Sequence, residues 1–143
     1  MGRIKVDLPE QFLFSVTIPV RITDINYGGH VGNDSILSLL HEARIKYLEY
    51  LEFTELNIDG AGLIMSDVAI EYKAESFYGD SLRVSVSAGE FSKVSFDLFY
   101  KMETVRDGHT ILIAKAKTGM VCYDYNQKKV IAVPEALKQK TQQ

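Results

Sequence analysis

The stretch Asn33-Asp-Ser-Ile-Leu-Ser-Leu-Leu-His-Glu-Ala-Arg-Ile-Lys-Tyr-Leu-Glu-Tyr-Leu51 decides the fold of this sequence. Ile36, Leu39, Leu40, Ala43, Tyr47, Leu48 and Leu51 recur at spacings of three and four, which lines them along one side of an α-helix. The spacing predicts an amphipathic helix of about four to five turns, and nothing else in the chain has that pattern over a comparable length. Upstream, Thr23-Asp-Ile-Asn-Tyr-Gly-Gly-His-Val-Gly32 is rich in turn formers, which makes Asn33 or Asp34 the natural N-cap.

Elsewhere the apolar period is two. Phe12, Phe14, Val16, Ile18, Val20 and Ile22 alternate as in a strand with one buried face. Pro19 cannot donate to a ladder, so that strand belongs at an edge or carries a bulge. After a glycine-containing connection from Asp59 to Gly62, Val68, Ile70 and Tyr72 mark a strand, and Leu82, Val84, Val86 and Ala88 mark the next. Val94, Phe96, Leu98, Tyr100 and Met102 mark a third, and Asp107-Gly108 is a hairpin turn into a fourth, from Ile111 to Asp124. Pro134 suits the first turn of a short terminal helix. A lone long helix buries its stripe only against a sheet large enough to cover it. Strand, helix and a four-strand antiparallel meander therefore predict an α+β fold with the sheet curled around the helix. Phe99, Val121 and Tyr123 fall on the opposite face from the other apolar sets, which predicts subunit contacts there.

With 143 residues and 46% apolar content the chain has the size and core of one domain, residues 1–143. A net charge of −3 without a lysine or arginine run argues against a nucleic-acid partner. No stretch approaches the roughly 20 apolar residues of a membrane helix, and Met1 to Gln11 lacks the apolar run of a signal peptide; a cytoplasmic protein without a membrane partner is expected. Val6 stands where N-myristoylation wants Ser or Thr. Cys122 is the single cysteine, so no internal disulfide forms, and His30, His41 and His109 match no metal-ligand spacing. No metal or cofactor is expected.

At the loop and helix the sequence resembles the 4-hydroxybenzoyl-CoA thioesterase-like branch of the hotdog superfamily. The pattern of that family reads roughly Asp-x-Asp-x-x-Gly-His-Val-Asn-Asn, then a helix ending in Glu-x-Ala-Arg. This chain has Asp24-Ile-Asn26-Tyr-Gly-Gly29-His30-Val31-Gly32-Asn33, then His41-Glu42-Ala43-Arg44. Tyr72-Lys73, Tyr78-Gly79-Asp80, Ser92 to Phe96, Ala114 to Val121 and Val133-Pro134-Glu135 extend the likeness from Phe14 to Leu137. The resemblance implies a hotdog fold, one long central helix wrapped by a five- or six-stranded antiparallel sheet, in a homodimer or homotetramer. It also implies hydrolysis of an acyl-CoA or acyl-carrier thioester. Two positions depart from the family: Asn26 stands where the usual catalytic Asp would be, and His41 matches the helix acid, with Glu42 beside it.

Thioester hydrolysis needs donors aimed at the developing oxyanion and a group that activates water. In the resemblance-based picture the amides of Gly28-Gly29-His30-Val31, with Gly29 and Val31 foremost, polarise the carbonyl at the positive end of the helix; the same glycines also serve a plain tight turn. Asn26 cannot act as base or nucleophile but can orient water, and Asp24 suits a loop-fixing role. His30 is the candidate replacement base, because an imidazole accepts a proton near neutral pH; the plainer alternative is a packed ring bonded to a carbonyl. His41 is a second candidate, while Glu42 suits a surface pair with Lys46. Lys73 is the favoured contact for coenzyme A phosphates over Arg83, Lys93, Lys115 and Lys117, which suit solvated strand faces. Phe77, Tyr78, Phe91 and Phe96 suit either an acyl tunnel or the core. A second class of function is a non-catalytic hotdog module that binds acyl thioesters as sensor or carrier, motivated by Asn26. A hydroxyacyl dehydratase of the same fold would need a Pro/Gly-rich motif around its His that this chain lacks.

Overall fold

The apolar stripe becomes helix α1 (Asn33–Tyr50), whose buried residues are Ile36, Leu39, Leu40, Ala43, Arg44, Tyr47 and Leu48. Residues 2–142 are described by the computed structural model; residues 1 and 143 of the expected domain lie outside them. The N-cap is Gly32, one residue before the expected Asn33 and two before Asp34, and no side chain caps the first turn. A Cβ at Gly32 would meet Asp34 Oδ1 at 2.7 Å, so a bare backbone suits the tight entry into the helix.

In chain order the remaining elements are β1 (Phe14–Pro19), a 3₁₀ turn (Ile22–Asp24), then after α1 β2 (Gly62–Tyr72), β3 (Ser81–Gly89), β4 (Ser95–Arg106), β5 (His109–Asp124), β6 (Lys129–Val130) and α2 (Glu135–Thr141). They form one six-stranded sheet in the order β1-β3-β4-β5-β2, with β6 on β5, and every pairing is antiparallel. The expected four-strand meander is therefore corrected. Only β3, β4 and β5 follow one another; β2 pairs with β5 at the far edge, and β1 takes the place beside β3. Period-two patterning reports which face is buried and carries no information about which strand is the neighbour. The first strand is an edge, one of the two placements that Pro19 allowed, but it is shorter than Phe12 to Ile22. It ends at the Pro19↔Ser81 pair, after which the chain turns into the 3₁₀ segment.

Leu82, Val84, Val86, Phe96, Leu98, Tyr100, Met102, Ala116, Met120 and Cys122 share one core cluster with the α1 stripe. Val68 and Tyr72 are directly opposite Thr118 and Ala114 and so share that concave face. They nevertheless stay 40% and 50% exposed, because α1 packs over the β1 and β3 side. On the face turned away from α1, charged side chains pair across strands: Arg83 with Glu103 at 2.9 Å, Lys117 with Asp97 at 3.8 Å, and Glu71 with Lys115 at 3.6 Å. Phe99, Val121 and Tyr123 are half-buried on this side. Part of the face is covered by the chain's own N-terminal segment: Val6 is buried and donates its N–H to Glu71 at 2.8 Å, and the Lys101 ammonium lies 5.3 Å from the Phe12 ring centre.

One charge sits in the helix stripe itself. Arg44 is buried and pairs with Glu55, which follows α1, while Tyr100 and Thr118 bond to each other through their hydroxyls at 2.8 Å. Burial pushes the Tyr100 hydroxyl up, against the pull of the Arg44 guanidinium beside it. Removing one member of such a pair strands the other. Arg44→Met is expected to cost about 3 kcal/mol in urea denaturation, and Glu55→Leu in that background to recover part of the loss. An unchanged unfolding midpoint in the single variant would contradict this role.

Candidate active site

The loop entering α1 is built from its own backbone. Asp24 accepts the Arg21 N–H at 2.8 Å and its guanidinium at 3.0 Å, which fixes the start. Ile25 bridges Val31, Asn26 N–H donates to His30 O at 2.9 Å, and Gly29 N–H returns to Asn26 O at 3.1 Å. Gly29 has φ of 83°, a left-handed conformation that glycine adopts without a Cβ penalty. Asn26 Oδ1 accepts the Gly28 N–H at 2.9 Å, an Asx turn that sets the orientation of the amide. Val31 N–H then donates to Ser76 O at 2.8 Å, docking the loop on the segment between β2 and β3.

These bonds correct three of the expected oxyanion donors, Gly28, Gly29 and Val31, and leave the His30 amide open. The amides of Gly29 and Val31 are already occupied by protein carbonyls, so neither faces a ligand unbonded. Sequence showed the glycines but not the distant carbonyl of Ser76. Among the described residues, no acceptor holds the amides of His30, Asn33, Asp34 or Ser35; the last three form the uncapped first turn of α1, at the positive end of its dipole.

Beside that turn lies a cleft of about 300 Å³, lined among others by His30, Asn33, Ile36, Tyr72, Lys73 and Glu75. Its far wall is held from both ends. An extra residue in β5, Ile113, falls between the Met102↔Ala114 and Glu103↔Leu112 pairs, and its carbonyl accepts from Lys73 N–H at 2.8 Å and Ala74 N–H at 3.2 Å. Asp80 accepts from the Phe77 N–H at 2.9 Å and from Arg106 at 2.7 Å, and Arg106 also donates to Glu75 O at 2.7 Å. The Arg106 bond holds the Asp80 carboxyl below the usual carboxylate range, outweighing burial, with help from the Phe77 N–H. Asp24 shows a similar balance: burial pushes it up, and the Arg21 side-chain and backbone bonds more than reverse that.

His30 Nδ1 lies 3.0 Å from Val31 O. A carbonyl only accepts, so Nδ1 carries the hydrogen and Nε2 keeps a lone pair in the neutral ring. Nε2 lies 3.8 Å from Glu75 Oε1. Asn26 is its neighbour: a Cβ at Gly28 would stand 3.2 Å from Asn26 Oδ1 and 3.5 Å from His30 Nε2. His30 and Lys73 thus line the cleft and Asn26 adjoins His30 across Gly28, although the Lys73 ammonium sits 3.4 Å from Glu71. His41 is elsewhere, exposed on α1 and 3.5 Å from Glu55. Lys46 pairs with Glu49 at 3.7 Å in place of Glu42. Phe96 is core and stacks on Phe91 at 5.4 Å, whereas Phe77 and Tyr78 are exposed, so the four line no common tunnel. Glu75 had no role in the sequence-based picture, because no local pattern relates residue 75 to residue 30, and Asn33 had one only as an N-cap candidate and motif residue.

The sequence pattern of the Thioesterase-like superfamily matches residues 20–141, and the chain belongs to that superfamily. Among curated proteins it is similar to the acyl-CoA thioesterase YbgC of Haemophilus influenzae, 26% identical over 128 residues that cover 87% of this chain and 91% of the relative. It is also similar to a 1,4-dihydroxy-2-naphthoyl-CoA hydrolase of Microcystis aeruginosa, 29% identical over 125 residues, 83% of this chain and 86% of the relative. Among solved structures, a mutant 4-hydroxybenzoyl-CoA thioesterase complexed with 4-hydroxybenzoyl-CoA superposes with a TM-score of 0.79 at 17% identity, covering 90% of this chain and 97% of that one. The fold is the hotdog fold, one central helix against a curled antiparallel sheet, as the resemblance implied.

Depressed carboxyls such as Asp24 and Asp80 make stability pH-dependent. A carboxyl whose folded pKa lies below its unfolded value contributes stability above the unfolded pKa and loses it as pH falls through the folded one. Melting temperature is therefore expected to drop as pH is lowered from about 4, the ordinary carboxylate range. Asp80→Asn should melt lower at neutral pH and show a shallower acid slope. Parallel acid slopes for the variant and the parent would rule out the Asp80–Arg106 contribution.

Proposed function

We propose that this protein hydrolyses an acyl-CoA thioester to free acid and thiol in the cleft at the start of α1, the chain acting as one domain. The observation that carries the proposal is the His30 ring, tethered through Nδ1 to Val31 O with Nε2 open beside amides that no protein group occupies. A thioester oxygen lying on the amides of His30 and the first turn of α1 would have its developing charge met by donors and the helix dipole. Water attacking the carbonyl carbon would lose a proton to Nε2. Asn26 contributes donors: its Oδ1 is engaged by Gly28, which leaves the Nδ2 hydrogens for the substrate or the attacking water. Lys73 lines the same cleft, but its ammonium is paired with Glu71 at 3.4 Å and would have to exchange that partner for a phosphate of coenzyme A. The activities named for the Haemophilus and Microcystis relatives support this choice of substrate class. His41 takes no part within its own chain in this scheme. A cytoplasmic setting suits the single unpaired Cys122; among the described residues no helix is long and apolar enough to cross a membrane.

A non-catalytic module that binds acyl thioesters is the second reading, favoured by an amide at position 26 in place of the carboxylate of the family pattern. Thiol release from a panel of short, medium, long and aromatic acyl-CoAs separates the two. Turnover is expected, and His30→Ala should lower kcat by about 10²- to 10⁴-fold with little change in KM. No turnover on any member of the panel would defeat the hydrolase. Asn26→Asp sorts the remainder: loss of activity supports a mechanism that uses the amide, and a large gain supports a lapsed enzyme.

We also propose a homodimer. The 11-residue β2 is a free edge, and Met65, Val68 and Tyr72 stand 39%, 40% and 50% exposed along it. A second copy pairing there would remove both the open ladder and the apolar exposure. Sedimentation should give a dimer, or a tetramer built from it, and Val68→Glu should shift the population toward monomer; a monomeric parent would contradict the assembly.

A further inference from the structure

The position that the family fills with a carboxylate holds Asn26, yet a different carboxylate stands in the cleft. We infer that Glu75 is a positioning residue for the hydrolysis, holding the imidazolium that forms on His30 as water attacks; the inference rests on the hydrolase proposed above. Glu75 belongs to the segment after β2, and its backbone is fixed by Arg106, which donates to Glu75 O at 2.7 Å. On either side, Ala74 N–H is bonded to Ile113 O and Ser76 O to Val31 N–H. Among the described residues, His30 is the one cation-forming side chain within ion-pair distance of the Glu75 carboxylate; Lys73 pairs with Glu71.

The chemistry follows from which nitrogen is free. With the Nδ1 hydrogen committed to Val31 O, Nε2 of the neutral ring is a lone pair facing a carboxylate oxygen at 3.8 Å. Two acceptors do not bond, and the separation is longer than a hydrogen bond. Once Nε2 has taken a proton, the same pair becomes an N–H cation facing an anion, able to close to a charge-assisted bond. The attraction is thus absent before proton transfer and present after it. An interaction of that kind lowers the barrier, whereas one present throughout would only tighten binding. Glu75 is exposed, so water screens the pair in the open cleft, and an acyl-CoA lying over it would displace that water.

The steps balance with nothing added from outside. The oxygen of water bonds to the thioester carbonyl carbon while one of its protons passes to His30 Nε2. The tetrahedral intermediate re-forms its carbonyl and the carbon–sulfur bond breaks. The proton on Nε2 then goes to the departing sulfur, leaving a free thiol and a carboxylic acid that ionises to solvent. Glu75 remains a carboxylate throughout and nothing is oxidised or reduced.

Steady-state kinetics of the parent, Glu75→Gln, His30→Ala and the double variant, on an acyl-CoA that the parent hydrolyses, test the pair. Glu75→Gln is expected to lower kcat by about tenfold at unchanged KM, and to change kcat by less than about twofold once His30 is already Ala, since the two act as a unit. An equal loss in both backgrounds, or a loss confined to KM, overturns the inference. Long-range ¹⁵N–¹H spectra of the imidazole give a readout that needs no activity. The neutral His30 ring should carry its hydrogen on Nδ1 in the parent and in Glu75→Gln. A parent that turns over substrate with the hydrogen on Nε2 overturns the role of Glu75 alone, whereas a parent with no turnover overturns the hydrolase and this inference with it.

Discussion

The donation from Val31 N–H to Ser76 O, 2.8 Å long, joins two segments that the chain keeps 45 positions apart, and the cleft exists because of it. On one side is the glycine turn that ends at α1; on the other is the connection that leaves β2. The bond draws the His30 ring and the open first turn of the helix against a wall that Ile113 O and the Asp80–Arg106 pair hold in place. The same bond removes the Val31 amide from the set of possible oxyanion donors. The site is therefore built by using the amides of Val31 and Gly32 as fasteners and leaving those of Asn33, Asp34 and Ser35 free, which is consistent with the rule that buried backbone donors are paired and only those facing a ligand or solvent are left open.

Three ion pairs around this frame do different jobs because their surroundings differ. Asp24 and Arg21 close the start of the turn, and Asp80 with Arg106 ties the connection after β2 to the end of β4. Both carboxyls also accept backbone N–H groups, so each acts as a bracket that orders several residues at once. Arg44 and Glu55 act deeper, where a charge on the apolar stripe of α1 is tolerable only with a partner. None of these pairs touches the cleft through a charged tip. That leaves His30 and Glu75 facing each other without a structural bond between them, a geometry suited to groups whose interaction should change during a reaction.

How much could be seen beforehand is best judged residue by residue. The stripe from Ile36 to Leu51 identified the central helix, and alternation in Leu82 to Ala88 and in Val94 to Met102 identified two central strands, because 3.6- and 2-residue periods follow directly from backbone geometry. Pro19 allowed its strand an edge or a bulge, and the strand is an edge. Strand order was not legible: β2 reads as a neighbour of β3 and pairs instead with β5, a choice made by where the chain emerges after α1. Val68 and Tyr72 lie on the concave side as their alternation required, but alternation could not reveal that the helix falls short of them.

The sequence by itself determined the superfamily, the helix, the facing of its strands, and the presence of a glycine turn and His30 just ahead of that helix. These are local properties, set by spacing and by what each residue type permits. Tertiary structure alone decided which amides remain open, which nitrogen of His30 is tethered, that His41 stands apart, and that Glu75 comes within 3.8 Å of the ring. Those depend on hydrogen bonds between segments far apart in the chain, and a hydrogen bond is decided by position and direction in space, which residue order does not record.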